Sequence, residues 1–391
     1  MNVRSTLAVL CIACLPLTPS CKKKVAPPKG GVDAGGASKL VPGDTEVKPI
    51  AEGASGVSNR CVGALNMAGP AQEMTLNGKK WRRQGYEMVA LQKDPDDGAV
   101  LGLVSDIKDA SPETLANLRH FIGEFKKRGA EAIIATGDIA EEAPDLRSVM
   151  MTLADSGLPT FVIIGNIESL KDYDAAVASV SALKPNLIDL NKTRFVAGDD
   201  YDLLSLPGYH DASHVRSQEG CAYKPEDVRD LNKLVSRSTQ ALVLVSHGPP
   251  RGTAPASLDM LSEKEGHVGD AKLAAFIKGA NIPFGVFGNV MEQGGRGVGP
   301  DMDTPIAPGA LSDRLFVNVG RASATPWSLA TGEVSNGMAM VLRLQNKKAA
   351  YEVLRAPAGK APAPQKAPPS PKGTAPAKPG AAPQIPEAPK K

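Results

Sequence analysis

The chain has 391 residues, 42% hydrophobic and 22% charged, values that exclude a collagen, a coiled coil and a wholly disordered chain. The net charge of +3 conceals a division: residues 356–391 hold six Lys against one Glu, and residues 22–60 hold seven Lys and Arg against four Asp and Glu. The stretch between is acidic, which argues against nucleic acid as a partner, and no apolar run reaches the roughly 18 residues that cross a bilayer.

The N-terminus reads as an export signal. Arg4 precedes an apolar run from Leu7 to Leu17, then Thr18-Pro19-Ser20-Cys21 and Lys22-Lys23-Lys24. This resembles the lipobox of bacterial lipoproteins, in which the Cys is diacylated and becomes the new N-terminus. It departs from that pattern in one respect, because Leu17 stands four residues before Cys21 rather than three. The resemblance implies a signal peptide over 1–20, lipidation at Cys21 and anchoring to the cell envelope, on the outer membrane or a periplasmic face. Two acyl chains anchor stably where one does not. Of the remaining thiols, Cys61 and Cys221 form either one disulfide, which an oxidising compartment permits, or two separate buried thiols.

No aromatic residue precedes Trp81 or follows Tyr351. Residues 21–60, rich in Pro, Gly and Lys, read as a disordered linker. Residues 356–391 contain eleven Pro and ten Ala, a composition that favours extended polyproline II and cannot bury a core. That tail is either a cationic arm for an anionic surface or a solvated end. The folded domain is placed at 61–355, long enough for one large core.

Within it, Ala99–Ser105 has the pattern of a buried strand. Ser111-Pro112 is an N-cap and N1 pair, followed by Leu115, Leu118, Ile122 and Phe125 at helical spacing and a stop at Gly129. Strands follow at 132–136 and 160–164, and helices at 144–156 and 169–183. Residues 194–207 read as a β-ribbon. Helices at 225–236 and 270–278 alternate with strands at 241–245 and 282–287. The last segments, 315–319, 338–344 and 351–354, are strands without helices between them. Alternation first and strands last predicts an α/β fold with a mixed sheet or two sheets.

Small polar residues fall where these strands end: Asp106, Asp138 after Gly137, Asn166 after Gly165, His247 after Ser246, and Asn289 after Gly288. Sites in open α/β sheets form at the carboxyl ends of strands. Acidic, amide and imidazole groups gathered there suit a metal ion.

The ordered series Asp106-Ile107-Lys108, Gly137-Asp138, Gly165-Asn166-Ile167-Glu168, Ser246-His247-Gly248-Pro249-Pro250 and Gly288-Asn289-Val290-Met291 resembles the calcineurin-like metallophosphoesterases. The resemblance spans roughly residues 99–345. It implies a four-layer α/β/β/α sandwich and a site for two metals bridged by one Asp. The family's Asp-x-His and Gly-His-x-His motifs are degraded here. The first metal would see Asp106 and Asp138, but Lys108 and Met291 replace its two imidazoles. The second would see Asp138, Asn166 and His247, with Asn289 in place of a His. Ile167 replaces the His that assists the leaving group, help worth about 10²–10⁴ in rate.

The resemblance therefore implies at most one divalent ion, Mn, Fe or Zn. Lys108 is expected where the first metal would sit, bridging Asp106 and Asp138, because an extended chain points both side chains to one face. Three function classes follow: a binding module for a phosphate-bearing or other anionic ligand, a one-metal phosphohydrolase, and a structural envelope tether. Gln293–Gly299 is a candidate anion loop or a surface loop. Arg251 and Arg321 could meet a phosphate but are by default solvated, and His210 or His214 could stand in as an acid. Oligomeric state is open.

Overall fold

The computed structural model describes residues 59–357. Two large sheets carry it. The six-stranded sheet has the order Lys348–Arg355, Met338–Gln345, Gly98–Val104, Ala132–Ala135, Thr160–Val162, Leu187–Asp189. Its last four strands are parallel, and Met338–Gln345 runs antiparallel to Gly98–Val104. At the centre of the ten-stranded sheet, Tyr201–Leu206, Ala241–Ser246, Phe284–Phe287 and Leu315–Asn318 are parallel neighbours.

The central strands of both sheets are apolar on both faces, so they alternate between two cores rather than between core and water. Leu101, Leu103, Ile134 and Phe161 of the smaller sheet join Val243, Val245, Val286 and Val317 of the larger in one buried layer between the sheets. The alternate residues face outward. Ile133 and Val162 pack with Leu118, Phe121, Leu146 and Tyr173 of the helices beside the smaller sheet, and Leu242 and Leu244 with Leu231, Leu273 and Ile277 beside the larger. Helix, sheet, sheet and helix form the four-layer α/β/β/α sandwich that the family resemblance implies. Truncating Leu103 or Val245 to Ala opens a cavity in the middle layer, at a cost of about 2–5 kcal/mol for a Leu.

The first long helix shows how sequence sets the layers. In Pro112–Lys127 the Ser111 hydroxyl accepts from the Thr114 amide, Pro112 opens the helix, and Lys126 and Lys127 close it against the carboxyl-end dipole. Phe125 drives into the sheet where Gly102 leaves room; a Cβ on Gly102 would lie 2.5 Å from the Phe125 ring.

Three features depart from the sequence reading. Gln72–Leu76, Lys79–Gln84 and Glu87–Ala90 form strands extending the larger sheet; only Trp81 and Met88 are fully buried in the latter two, too sparse a pattern to read. The expected helix 225–236 is broken into Pro225–Asp230 and Asn232–Val235. The glycine-rich stretch is not an anion loop: Arg296–Val298 is a strand. Its glycines serve close packing, since a Cβ on Gly294 would lie 2.7 Å from Gly320 and one on Gly297 2.5 Å from the Tyr351 ring.

Candidate functional site

The carboxyl ends of the parallel strands bring both sheets' polar residues to one place. Two glycines make the approach feasible. A Cβ on Gly137 would meet His247 Nδ1 at 2.8 Å, and one on Gly165 would stand 2.2 Å from Asp138 Oδ1. The chain also turns sharply at four non-glycine positions in the left-handed region: Asp106 (φ 48°), Lys108 (φ 69°), Asp138 (φ 54°) and Asn289 (φ 63°). Such conformations cost of order 1–3 kcal/mol and concentrate where a chain must present side chains to a ligand, although Asp and Asn tolerate them better than Lys.

Lys108 Nζ lies 2.6 Å from Asp138 Oδ2 and 3.4 Å from Asp106 Oδ1. The lysine side chain is 14% exposed and the two carboxylates are buried. Asp106 Oδ2 accepts from the Ser105 hydroxyl at 2.8 Å and from the Asn289 amide at 2.9 Å, while the buried Oδ1 accepts no hydrogen bond and faces the ammonium alone. Burial works to lower the Lys108 pKa, but the charges of Asp138 and Asp106 outweigh it and hold the ammonium above the usual lysine range. Asp138 is likewise opposed by burial, yet His247 and Lys108 carry it well below the usual carboxylate range. The convergence does not come from extended chain. Asp106 and Lys108 are both left-handed, with buried Ile107 between them, and the Lys108 amide donates to the Asp138 carbonyl at 3.0 Å. A turn, not a strand, aims the two side chains together.

His247 is wholly buried. Its Nδ1 lies 2.8 Å from the Thr136 carbonyl, so Nδ1 carries a proton and donates. Its Nε2 faces Asp138 Oδ1 at 3.1 Å and Asn166 Oδ1 at 3.2 Å. The Asn166 amide is oriented by donating Nδ2 to the His214 carbonyl at 2.8 Å, which leaves its oxygen toward the ring. Two acceptors against one nitrogen call for a proton between them. Accordingly, although burial opposes the charge, Asp138 lifts the His247 pKa to about 9.

The same three atoms are also the donor set of one divalent ion. Adjacent ligands at roughly 2.0–2.1 Å from an octahedral ion stand about 3 Å apart, and one imidazole with two oxygens suits Mn, Fe or Zn. The residues present thus fit one ion at Asp138, Asn166 and His247. They do not fit one between Asp106 and Asp138, where an ammonium engages both carboxylates. Asn289 touches Asp106 through its backbone, and its side chain interacts with the Tyr209 hydroxyl. Met291 is buried on the turn Met291–Gln293, and Ile167 is 3% exposed and offers no proton.

Glu168 does more than its place in the sequence reveals. Buried, it accepts from the Ile139 amide at 2.5 Å and the Gly165 amide at 2.9 Å, fastening the two loops that carry Asp138 and Asn166. Burial and the charge of Asp138 push its pKa to about 7. Asn318, the last residue of its strand, donates to the Val290 carbonyl at 2.9 Å and the Gly288 carbonyl at 3.2 Å, fixing the turn that holds Asn289. The strand-end rule that found the other residues applies to Asn318 as well.

Beside these residues runs the segment from Tyr209 to Arg216. The Tyr209 ring lies 4.7 Å from His210, 5.9 Å from His214 and 6.3 Å from His247. The Arg216 amide donates to the Asn166 carbonyl at 2.8 Å, and its positive charge acts on Lys108. His214 and Arg216 are exposed; His210 is half-buried, and burial lowers its pKa. Cys61 and Cys221 are bonded to each other, with Cα atoms 5.1 Å apart. Arg251 is exposed, and Arg321 lies over the Trp327 ring at 5.2 Å. His267 contacts Asp259 at 2.9 Å, away from the lysine–carboxylate centre. Cys21 lies outside the described residues.

Carboxylates also converge at the amino ends of the strands, where Asp94, Glu131 and Asp199 form a set able to hold a cation. Lys79 Nζ reaches all three, at 2.8, 2.9 and 2.5 Å.

No protein-family model matches the chain, and no characterised protein sequence does. Solved structures do resemble it. The protein TT1561 of Thermus thermophilus is 16% identical, with a TM-score of 0.45 over 66% of this chain and 98% of that one. A dimetal phosphatase from Danio rerio is 10% identical, with a TM-score of 0.41 over 66% and 99%. A purple acid phosphatase from yellow lupin seeds is 10% identical, with a TM-score of 0.43 over 71% and 56%.

Proposed function

We propose that this domain binds a phosphate-bearing or other anionic ligand in the strand-end cleft and leaves it intact, as the folded part of a lipid-anchored envelope protein. The carrying observation is Lys108, whose ammonium engages Asp138 and Asp106 where a first metal would otherwise be required. An ammonium has three donors. Asp138 and Asp106 take two directions, which leaves the third for an anion, in the positive field of Arg216. The left-handed backbone at Asp106, Lys108, Asp138 and Asn289 favours a working cleft over a plain tether, since a tether has no use for it. Nothing at Ile167 protonates a leaving group.

A specific observation supports a second reading, a one-metal phosphohydrolase: His247 Nε2 lies 3.1 Å from Asp138 Oδ1 and 3.2 Å from Asn166 Oδ1, separations that suit ligands of one ion. A divalent ion held there would polarise a phosphoryl oxygen as a Lewis acid. This chain's own residues would then contribute the charge of Lys108 on the ligand and the orientation of Asn166 by His214.

Calorimetry with phenyl phosphate, followed by analysis of the recovered ligand with and without Mn²⁺, tests the proposal. Saturable binding, weakened at least tenfold in Lys108→Met, with the ester recovered whole, is expected. Turnover that depends on Mn²⁺ and vanishes in His247→Ala favours the second reading; no binding at all returns the domain to a tether.

A further inference from the structure

A second cleft lies between the hairpin Gln72–Leu76/Lys79–Gln84, the helix Leu170–Ser181 and the end of the edge strand Leu187–Asp189. Its volume is about 420 Å³, within the roughly 300–1,000 Å³ of small-ligand sites. Asp189, only 6% exposed, lines it. Its Oδ1 accepts from the Asn191 amide at 2.9 Å and the Tyr173 hydroxyl at 3.4 Å. Its Oδ2 is buried with no hydrogen-bond donor. Its ionic partner, Lys192 Nζ, stands at 3.5 Å, and that ammonium makes its closer contact with Asp174 at 2.7 Å. Lys192 is 64% exposed, so it lies across the mouth rather than filling the floor.

A buried carboxylate oxygen held only by a long ion pair gains from an incoming N–H at hydrogen-bond distance. The wall beside it is apolar, made by Val177, Ala178 and Pro70. Arg83, the other cation of the cleft, is engaged by the Gln72 side chain at 3.2 Å. A carboxylate floor, a second carboxylate at the mouth and an apolar side wall select a short alkyl chain ending in an ammonium. We infer that this cleft binds a primary amine, its head on Asp189 and Asp174 and its chain along Val177, with Lys192 swinging aside.

The test is calorimetry on the intact domain with n-pentylamine, Nα-acetyl-lysine amide and the neutral isostere 1-pentanol. Saturable binding of either amine, at least tenfold tighter than pentanol, is expected; whichever amine binds better tells a free amine from a peptide side chain. Asp189→Asn should abolish the preference for amine. Should that variant unfold, the milder Asp174→Asn should weaken amine binding severalfold, and Lys192→Ala should tighten it. Equal binding of pentanol and pentylamine, no amine binding by wild type, or weaker binding in Lys192→Ala would overturn the inference.

Discussion

Lys79 and Lys108 each gather carboxylates, one at the amino ends of the strands and one at the carboxyl ends. Lys79 has more partners, three within 2.9 Å, against one close partner and one at 3.4 Å for Lys108. By count of ion pairs Lys79 would be the better candidate site. Its surroundings say otherwise. Lys79 and its partners have ordinary backbone, whereas Lys108, Asp106 and Asp138 are all left-handed. Lys79 is 25% exposed and Asp94 31%, with Asp199 alone buried among its partners, whereas Asp106 and Asp138 are both buried. Exposed ion pairs contribute little, and buried ones cost much when broken. The difference teaches that burial and backbone strain, rather than the number of charges, set the two clusters apart.

The comparison breaks most readily at Lys108. Lys108→Ala leaves two buried carboxylates facing each other, and removing one partner of a buried pair costs about 3–5 kcal/mol. Since His247 still faces Asp138, a loss near the lower end is expected, read by urea unfolding. Asp106→Asn in the same background should restore a good part of it, as one of the opposed charges is gone. An unchanged midpoint in Lys108→Ala would show that the lysine merely lies near the carboxylates.

His247 gives the next largest effect. Its folded pKa of about 9 stands above its ordinary value of 6.5. The stabilisation is therefore complete below about pH 6.5 and is lost as pH rises through about 9. Thermal midpoints should fall across that interval, and His247→Asn should flatten the fall. Mn²⁺ should protect increasingly over the same range, because the ion and the proton compete for Nε2. A midpoint insensitive to pH from 6.5 to 9.5 would mean that Nε2 carries no proton. Lys79→Ala comes third, with a loss of about 1 kcal/mol, because water can reach Asp94 and Glu131, though not Asp199.

Much of this was legible in the sequence for a plain reason. Asp106, Asp138, Asn166, His247 and Asn289 each follow a short apolar run, and parallel strands carry such residues to one end of the sheets. The α/β alternation was legible because the central strands are apolar runs between amphipathic helices, whereas the four-layer sandwich came only with the family resemblance. The first three strands of the larger sheet were not legible, because their exposed residues break the pattern. The tasks of Glu168 and Asn318 were hidden too: both work by hydrogen bonds to backbone far along the chain, Glu168 to Ile139 and Asn318 to Leu258, Gly288 and Val290. Nothing in local sequence marks such partners. The Asp174–Asp189–Lys192 cleft was equally invisible, since its walls come from a hairpin and a helix that sequence spacing does not bring together.

The smallest effect sharpens the comparison from the other end. Beside the Lys79 cluster, Asp200 has a buried carboxylate oxygen with no hydrogen-bond partner. Burial, and then the charges of Asp199, Asp94 and Glu131, push its pKa up to about 6. A carboxyl raised above its ordinary value of 3.8 favours the folded state while protonated, and that contribution disappears as pH rises through about 6. Asp200→Asn removes the charge and keeps the shape. It should raise the thermal midpoint by a degree or two at pH 7.5 and leave it unchanged near pH 3.5, the reverse of what neutralising Asp106 alone should do to the Lys108 pair. Lys108 is matched to its two carboxylates, so losing one leaves a buried ammonium short of a partner. Lys79 has more carboxylates around it than one ammonium can neutralise, so losing one relieves repulsion. If Asp200→Asn instead lowers the midpoint at pH 7.5, the amino-end cluster is balanced as it stands, and the contrast between the two lysines rests on burial and backbone strain alone.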